Sequence, residues 1–224
     1  MGNAASDLSR INTIIFDMDG TLIDTNELIY DSWRYTVETL TGRSVTDEVI
    51  RGTLGEILLD SMKRLMPEID PEKALDVYRT YQREIFLDRI ELYDGVETVL
   101  RKLHEAGYKM AILTSRLTSS TGRALAHFKI ESYFEAVLTA SDTEFFKPAP
   151  EPVYQILDMV GSKPEEALLI GDTVHDIEAG LAAGVFTVLV GWSVALPPEQ
   201  RGGVSKPDAV IEKMPDLLCL LKGE

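Results

Sequence analysis

From Lys109 onward, short apolar runs alternate with helix-like stretches, and this alternation restricts the fold more than any other feature of the chain. The runs are Met110–Leu113, Ala136–Leu138, Ala167–Ile170, Val185–Val190 and Ala209–Ile211, and Thr13–Phe16 is an earlier one of the same kind. Strand runs spaced by helical patterns make βαβ units and a parallel sheet covered on both faces. Helix ends are marked too. Val96, Val99, Leu100 and Leu103 lie at helical spacing, and Gly107 follows them in the place of a helix C-terminal glycine. Gly184 closes a later helix in the same way.

The stretch 25–90 reads differently, with no clear strand. Asn26 can cap a helix carrying Ile29, Trp33, Val37 and Leu40, which Gly42 ends. Ile57, Leu58, Ser61, Met62 and Leu65 form a second stripe, stopped by Pro67. Asp70-Pro71 starts a third helix, with Asp at the cap and Pro at the first helical position. Ala74, Tyr78, Tyr81 and Ile85 share one of its faces. The expected architecture is α/β: a Rossmann-like parallel sheet core, residues 1–24 and 91–224, with an all-helical domain, residues 25–90, inserted after the first strand.

Charge narrows the range of partners. There are 22 Lys and Arg against 37 Asp and Glu, a net of −15. Such a surface repels nucleic acid and anionic lipid, so neither nucleic acid nor a membrane is expected as a partner. It repels an anionic substrate at long range as well. A substrate carrying phosphate would need local positive charge, and a bound cation is the obvious source. The one cysteine, Cys219, sits in an apolar C-terminal stretch and reads as a small buried hydrophobe. A single cysteine makes no internal disulfide, which fits a reducing, cytoplasmic compartment. No apolar run approaches the roughly 20 residues that span a bilayer. The start, MGNAASDLSR, lacks the basic-then-apolar pattern of a signal peptide. Gly2 and Ser6 fit a myristoylation pattern, but a tag remnant or a disordered start is the better account. Nothing in the sequence fixes the oligomeric state.

Chemistry gathers at the ends of the strand runs. Ile14-Ile15-Phe16 leads into Asp17-Met18-Asp19-Gly20-Thr21, two carboxylates two residues apart before a glycine that lets the chain turn. Leu168-Leu169-Ile170 leads into Gly171-Asp172, and Asp176 follows where a helix begins, either as its cap or as part of a site. Ala111-Ile112-Leu113 ends in Thr114-Ser115-Arg116, and Phe145-Phe146-Lys147-Pro148 lies in the loop after the third run. Each segment alone is an ordinary polar loop. An open parallel sheet binds ligands outside the carboxyl ends of its strands, and all four segments put reactive groups there. Asp17, Asp19 and Asp172 concentrate anionic oxygen, which is costly without a cation, and an oxygen-rich set suits Mg²⁺. Lys147 supplies compensating charge for phosphoryl oxygens, and Thr114 and the Ser115 N–H supply neutral donors. His104, His127 and His175 lack metal-ligand spacing, so no zinc site is expected.

These four motifs, in this order and over nearly the whole chain, resemble the haloacid dehalogenase superfamily of hydrolases. Motif one is Asp17-Met18-Asp19-Gly20-Thr21, motif two Thr114-Ser115, motif three Lys147-Pro148, and motif four Gly171-Asp172 with Asp176. The resemblance implies that the helical insert is a cap domain that closes over the site. It implies that Asp17 attacks phosphorus and forms an aspartyl-phosphate, and that Asp19 protonates the leaving oxygen and then activates water. It implies Mg²⁺ held by Asp17, the main-chain carbonyl of Asp19 and Asp172, with Asp176 supporting the metal's waters. Thr114, Ser115 and Lys147 would hold the phosphoryl oxygens. The superfamily's dehalogenases lack a carboxylate at the position of Asp19, so phosphate-ester or phosphoanhydride chemistry is expected here.

Within the superfamily, Asp17–Asp24, Lys147–Pro150 and Pro207–Ile211 look like the phosphoglycolate phosphatases, which makes a small phosphorylated metabolite of that type the expected substrate. Thr21–Ile29, and His175 next to Asp176, are similar to a related pyrophosphatase, and that reading stays open. A β-phosphoglucomutase comes third, and a non-catalytic binding protein on the same fold is the reading from another class. Gly55 and Glu56 correspond to a loop of the cap that contacts substrate, and Arg116 is a candidate contact for the leaving group. For Glu56 and Arg116 the alternative is a solvated surface charge.

Overall fold

The computed structural model describes residues 8–54, 56–196, 198 and 205–223. Gly2, Ser6 and Gly55, singled out in the sequence, lie outside these residues. The chain forms two compact units, one drawn from the residues before Asp24 and after Glu91, the other being Asp24–Glu91. In chain order the elements begin with β1 (Thr13–Phe16), β2 (Ile23–Asp24), α1 (Asn26–Thr41), α2 (Asp47–Arg51), α3 (Leu58–Leu65) and α4 (Pro71–Ile85). Then come β3 (Glu91–Leu92), α5 (Val96–Glu105), β4 (Lys109–Leu113), α6 (Thr118–Phe128) and β5 (Ala136–Leu138). The last are α7 (Glu151–Val160), β6 (Ala167–Gly171), α8 (Val174–Ala183), β7 (Phe186–Val190), β8 (Ala209–Ile211) and α9 (Asp216–Lys222).

Six strands make one sheet in the order β5-β4-β1-β6-β7-β8. Every pairing in it is parallel. β1 lies between β4 and β6, with Phe16 level with Ile112 on one side and Ile170 on the other. Strand order reverses around β1, which makes its carboxyl end the place where such a sheet opens a crevice. All four residues of β1 are buried. One core cluster joins Ile15, Leu113, Leu138 and Leu169 of the sheet to Val153, Ile156 and Leu157 of α7 and Ala179 of α8.

The helical unit has its own core of Tyr30, Trp33, Val37, Ile50, Met62, Met66, Ala74 and Tyr78. Trp33 meets Tyr78 edge to face at 5.4 Å between ring centroids. Asp70 caps α4 by accepting from the Glu72 N–H, with Pro71 first in the helix. β2 and β3 pair in a two-stranded ribbon flanking this stretch.

Four local readings need correction. Asn26 is the first residue of α1 and not its cap. Asp24 carries out the capping instead: its Oδ1 accepts from the Asn26 backbone N–H at 3.0 Å and from Asn26 Nδ2 at 2.8 Å. A carboxylate is the stronger acceptor for the exposed donors of a helix start. α2 was invisible because five residues are too few to show a helical stripe. Ile57 stands before α3 and is 61% exposed, so it is no part of that stripe. Cys219 is exposed. Leu217 and Leu221, four residues apart, are the buried face of α9, and a residue midway between them turns to the opposite side.

Candidate active site

The parallel register places the sequence motifs side by side. Asp17 follows β1, and its N–H donates to the Ile170 carbonyl of β6 at 2.9 Å. Thr114 follows β4, and its N–H donates to Leu138 of β5 at 3.0 Å. Asp172 follows β6. Two glycines make close approach feasible here. Gly20 has φ +79°, and a Cβ there would lie 2.3 Å from Asp172 Oδ2. A Cβ at Gly171 would lie 2.3 Å from Asp176 Cγ.

Lys147 reaches this edge from the loop after β5. Its Nζ donates to Asp17 Oδ1 at 2.6 Å, to Asp176 Oδ1 at 2.6 Å and to the Leu113 carbonyl at 3.2 Å. All three side chains of this network are nearly inaccessible to solvent. Asp176 caps a helix and joins this network as well. Its Oδ2 accepts from the Thr173 N–H and hydroxyl, completing a capping box on α8, and its Oδ1 takes Lys147.

The carboxylates of Asp17, Asp172 and Asp176 each offer an oxygen within 4.8 Å of the others. Burial, the largest cause, pushes Asp17 up to about 7, against the opposing charge of Lys147 and with help from Asp176. Burial and then the charges of Asp17 and Asp176 hold Asp172 well above the ordinary carboxylate range. Burial alone would lower Lys147, but the charges of Asp17 and Asp176 more than offset it and raise it. One ammonium among three buried carboxylates leaves negative charge in excess. A hard cation placed among those oxygens would relieve it, so the donor set fits a metal ion. The cluster is built from the carboxylate of Asp176, which the sequence placed outside the metal's direct ligands, and does not include that of Asp19.

Asp19 stands apart from this cluster and pairs with Arg116, Nη1 to Oδ1 at 3.2 Å. The Arg116 side chain is 9% exposed, so it is no solvated surface charge. Ser115 is exposed, while Thr114 is buried and accepts from the Arg116 N–H through Oγ1 at 3.2 Å. Glu56, in the helical unit, accepts from Ser61 Oγ at 2.5 Å and from Arg64 Nη2 at 2.6 Å. Glu56 thus has a cation of its own within the helical unit.

Two residues of the site edge were missed by the sequence reading. Trp192 Nε1 donates to the Gly20 carbonyl at 3.0 Å, and Ser193 Oγ donates to the Asp172 carbonyl. Both follow β7, so the end of Val185–Val190 was the signal that they share the sheet edge with the motifs. A groove of about 330 Å³ lies at the other edge of the sheet, among Arg10, Ile11, Ala167, Val185 and Phe186, away from this chemistry.

Residues 14–190 match the family of haloacid dehalogenase-like hydrolases. The chain belongs to that family. It is 38% identical, over 95% of its own length and 97% of the relative's, to pyrophosphatase PpaX of Halalkalibacterium halodurans. The fold is that of a haloacid dehalogenase-like family hydrolase from Streptococcus pneumoniae, with TM-score 0.84 and 24% identity, covering 95% of this chain and 99% of that one. It is also that of a structure from Haemophilus somnus described as a predicted phosphoglycolate phosphatase, with TM-score 0.83 and 22% identity, covering 94% and 98% of the two chains. Among the described residues, no helix is long and apolar enough to cross a membrane.

Proposed function

We propose that this hydrolase is a magnesium-dependent phosphohydrolase that splits a small phosphorylated compound through an aspartyl-phosphate on Asp17. The observation that carries the reading is the buried Asp17 carboxylate, bonded to Lys147 and grouped with Asp172 and Asp176, with a second carboxyl, Asp19, two residues on and paired with a different cation. An Asp17 oxygen attacks phosphorus while the bond to the leaving oxygen breaks, and Asp19 gives that oxygen its proton. Water then attacks the phosphoryl group, Asp19 takes the water's proton, and phosphate leaves with Asp17 restored. Lys147, Thr114 and the Ser115 N–H stabilise the charge on the phosphoryl oxygens. Asp17, Asp172 and the Asp19 carbonyl would hold Mg²⁺, with the Asp176 carboxylate beside them, and the ion would neutralise charge on the transferring group.

Inorganic pyrophosphate is the substrate we place first, because the 38% identical relative that covers nearly the whole chain is named a pyrophosphatase. A phosphoglycolate-like monoester is the second reading, supported by Lys147–Pro150 and Pro207–Ile211. We further take residues 25–90 as the part that distinguishes leaving groups, and the cytoplasm, where an exposed Cys219 stays reduced, as the compartment. The test is hydrolysis of pyrophosphate, phosphoglycolate, a sugar phosphate and an aryl phosphate, with magnesium and with chelator. A pyrophosphate preference in kcat/KM supports the first reading, and a monoester preference moves the assignment to the second. Conversion of a sugar 1-phosphate to the 6-phosphate would mark a mutase. Folded protein that turns over nothing with any metal would make it a binding protein.

A further inference from the structure

We propose that Arg116 is a positioning residue that holds the Asp19 carboxyl in place for proton transfer, rather than a contact for the substrate. This rests on the acid role given to Asp19 above. The pair joins residues 97 apart in sequence that follow neighbouring strands, β1 and β4. Arg116 is 9% exposed and Asp19 is 29% exposed, so the cation is sunk in the protein while the acid stays open on one side. A guanidinium that has given up most of its water needs an anion near it, and here Asp19 is that anion.

The base of the arginine is also fixed. Its N–H donates to Thr114 Oγ1 at 3.2 Å, and its carbonyl accepts from the Ala140 N–H at 2.9 Å. Arg116 therefore stands between the loops after β4 and β5 and reaches across to the loop after β1. A general acid works only within about 2.6–3.2 Å of the oxygen it serves, and an aspartate without a partner spreads over several rotamers. The contact engages Oδ1 of the Asp19 carboxyl. Asp17 has Lys147 for its cation, so the two carboxyls of motif one are oriented by different groups.

The experiment compares wild type, R116A, R116K, D19A and the D19A/R116A double variant, with thermal melts to show folding. Each is measured on two esters that share a phosphoryl group, one with an activated aryl leaving group and one with an alkyl leaving group. For R116A we expect kcat on the alkyl ester to fall about 10–100-fold, a part of what a general acid contributes. On the aryl ester it should fall by less than about threefold, because a good leaving group needs little protonation. KM should stay within about twofold, since no substrate contact is lost. R116K should recover part of the loss, and the double variant should be no worse than D19A, as for residues that act as one unit. A raised KM with unchanged kcat would make Arg116 a substrate contact and overturn the proposal. So would an equal loss on both esters in R116A beside a selective loss in D19A, which marks a scaffold role. An equal loss on both esters in D19A removes the acid role itself, and the proposal falls with it. Should R116A fail to fold, R116K alone decides by the same leaving-group comparison.

Discussion

Asp17 shows at a single residue how the proposed nucleophile strains the fold that carries it. Its carboxyl is raised from 3.8 to about 7 because burial disfavours the charged form more than Lys147 favours it. A group raised on folding contributes stability that is fully present below its unfolded pKa and is lost as pH rises through the folded one. In metal-free protein, Asp17 should therefore weaken the fold progressively from about pH 4 to about pH 7. Asp17→Asn removes that charge. We expect the metal-free variant to melt with wild type at pH 4 and several degrees above it at pH 8, by calorimetry. Its turnover should fall by several orders of magnitude, since an amide is a poor nucleophile. Retained activity above a few per cent would disprove the nucleophile assignment. A variant that melts below wild type at pH 8 would show that the tie to Lys147 outweighs the burial of charge.

At the scale of elements, the site is assembled from loops after parallel strands, and a loop the motifs do not include braces two of them. Trp192 bonds the carbonyl of Gly20 and packs at 5.6 Å from the Tyr93 ring, and Ser193 bonds the carbonyl of Asp172. Trp192→Phe keeps a ring in place and deletes only the indole N–H. The lost bond should destabilise the protein by about 0.5–1.5 kcal/mol in urea unfolding. Because Gly20 lies against Asp172, the same change should also raise the magnesium concentration needed for half-maximal rate. A stability loss with unaltered metal dependence would reduce this loop to a packing element. α9 carries the complementary lesson: its apolar letters were plain, but which of them turn inward was settled by the surface they meet. Leu217 and Leu221 are buried there, and Cys219 is not.

At the scale of the molecule, the two units each contain one of the two tryptophans, so each has its own optical reporter. Trp33 lies in the helical core beside Tyr78, and Trp192 lies at the site edge. In a Trp33→Phe variant, emission from Trp192 should change on titration with magnesium, as charge at Asp172 is neutralised one residue layer away. Trp33 emission in a Trp192→Phe variant should stay level over the same titration. A response confined to Trp33 would place the metal in the helical unit and overturn the carboxylate site. The ring at Trp33 is fully buried, and removing it altogether would cost about 3–5 kcal/mol, so phenylalanine is the substitution that leaves the reporter experiment readable.

What the sequence by itself determined is what neighbouring residues decide among themselves. Apolar runs of strand length, glycines after helical stripes and Asp70-Pro71 at a helix start are local signals, and each marks a real element of the fold. The motifs sit at strand ends, so the sequence also told which residues share one edge of the sheet. Only the tertiary structure decided who touches whom along that edge. The order β5-β4-β1-β6 is what brings Lys147 onto Asp17 across 130 positions and Arg116 onto Asp19 across 97. The bracing of Gly20 by Trp192 spans 172. Partners so distant leave no periodicity for a reader to find. They are chosen by strand register and by the need of a buried charge or donor to find its complement, and both exist only once the chain has packed.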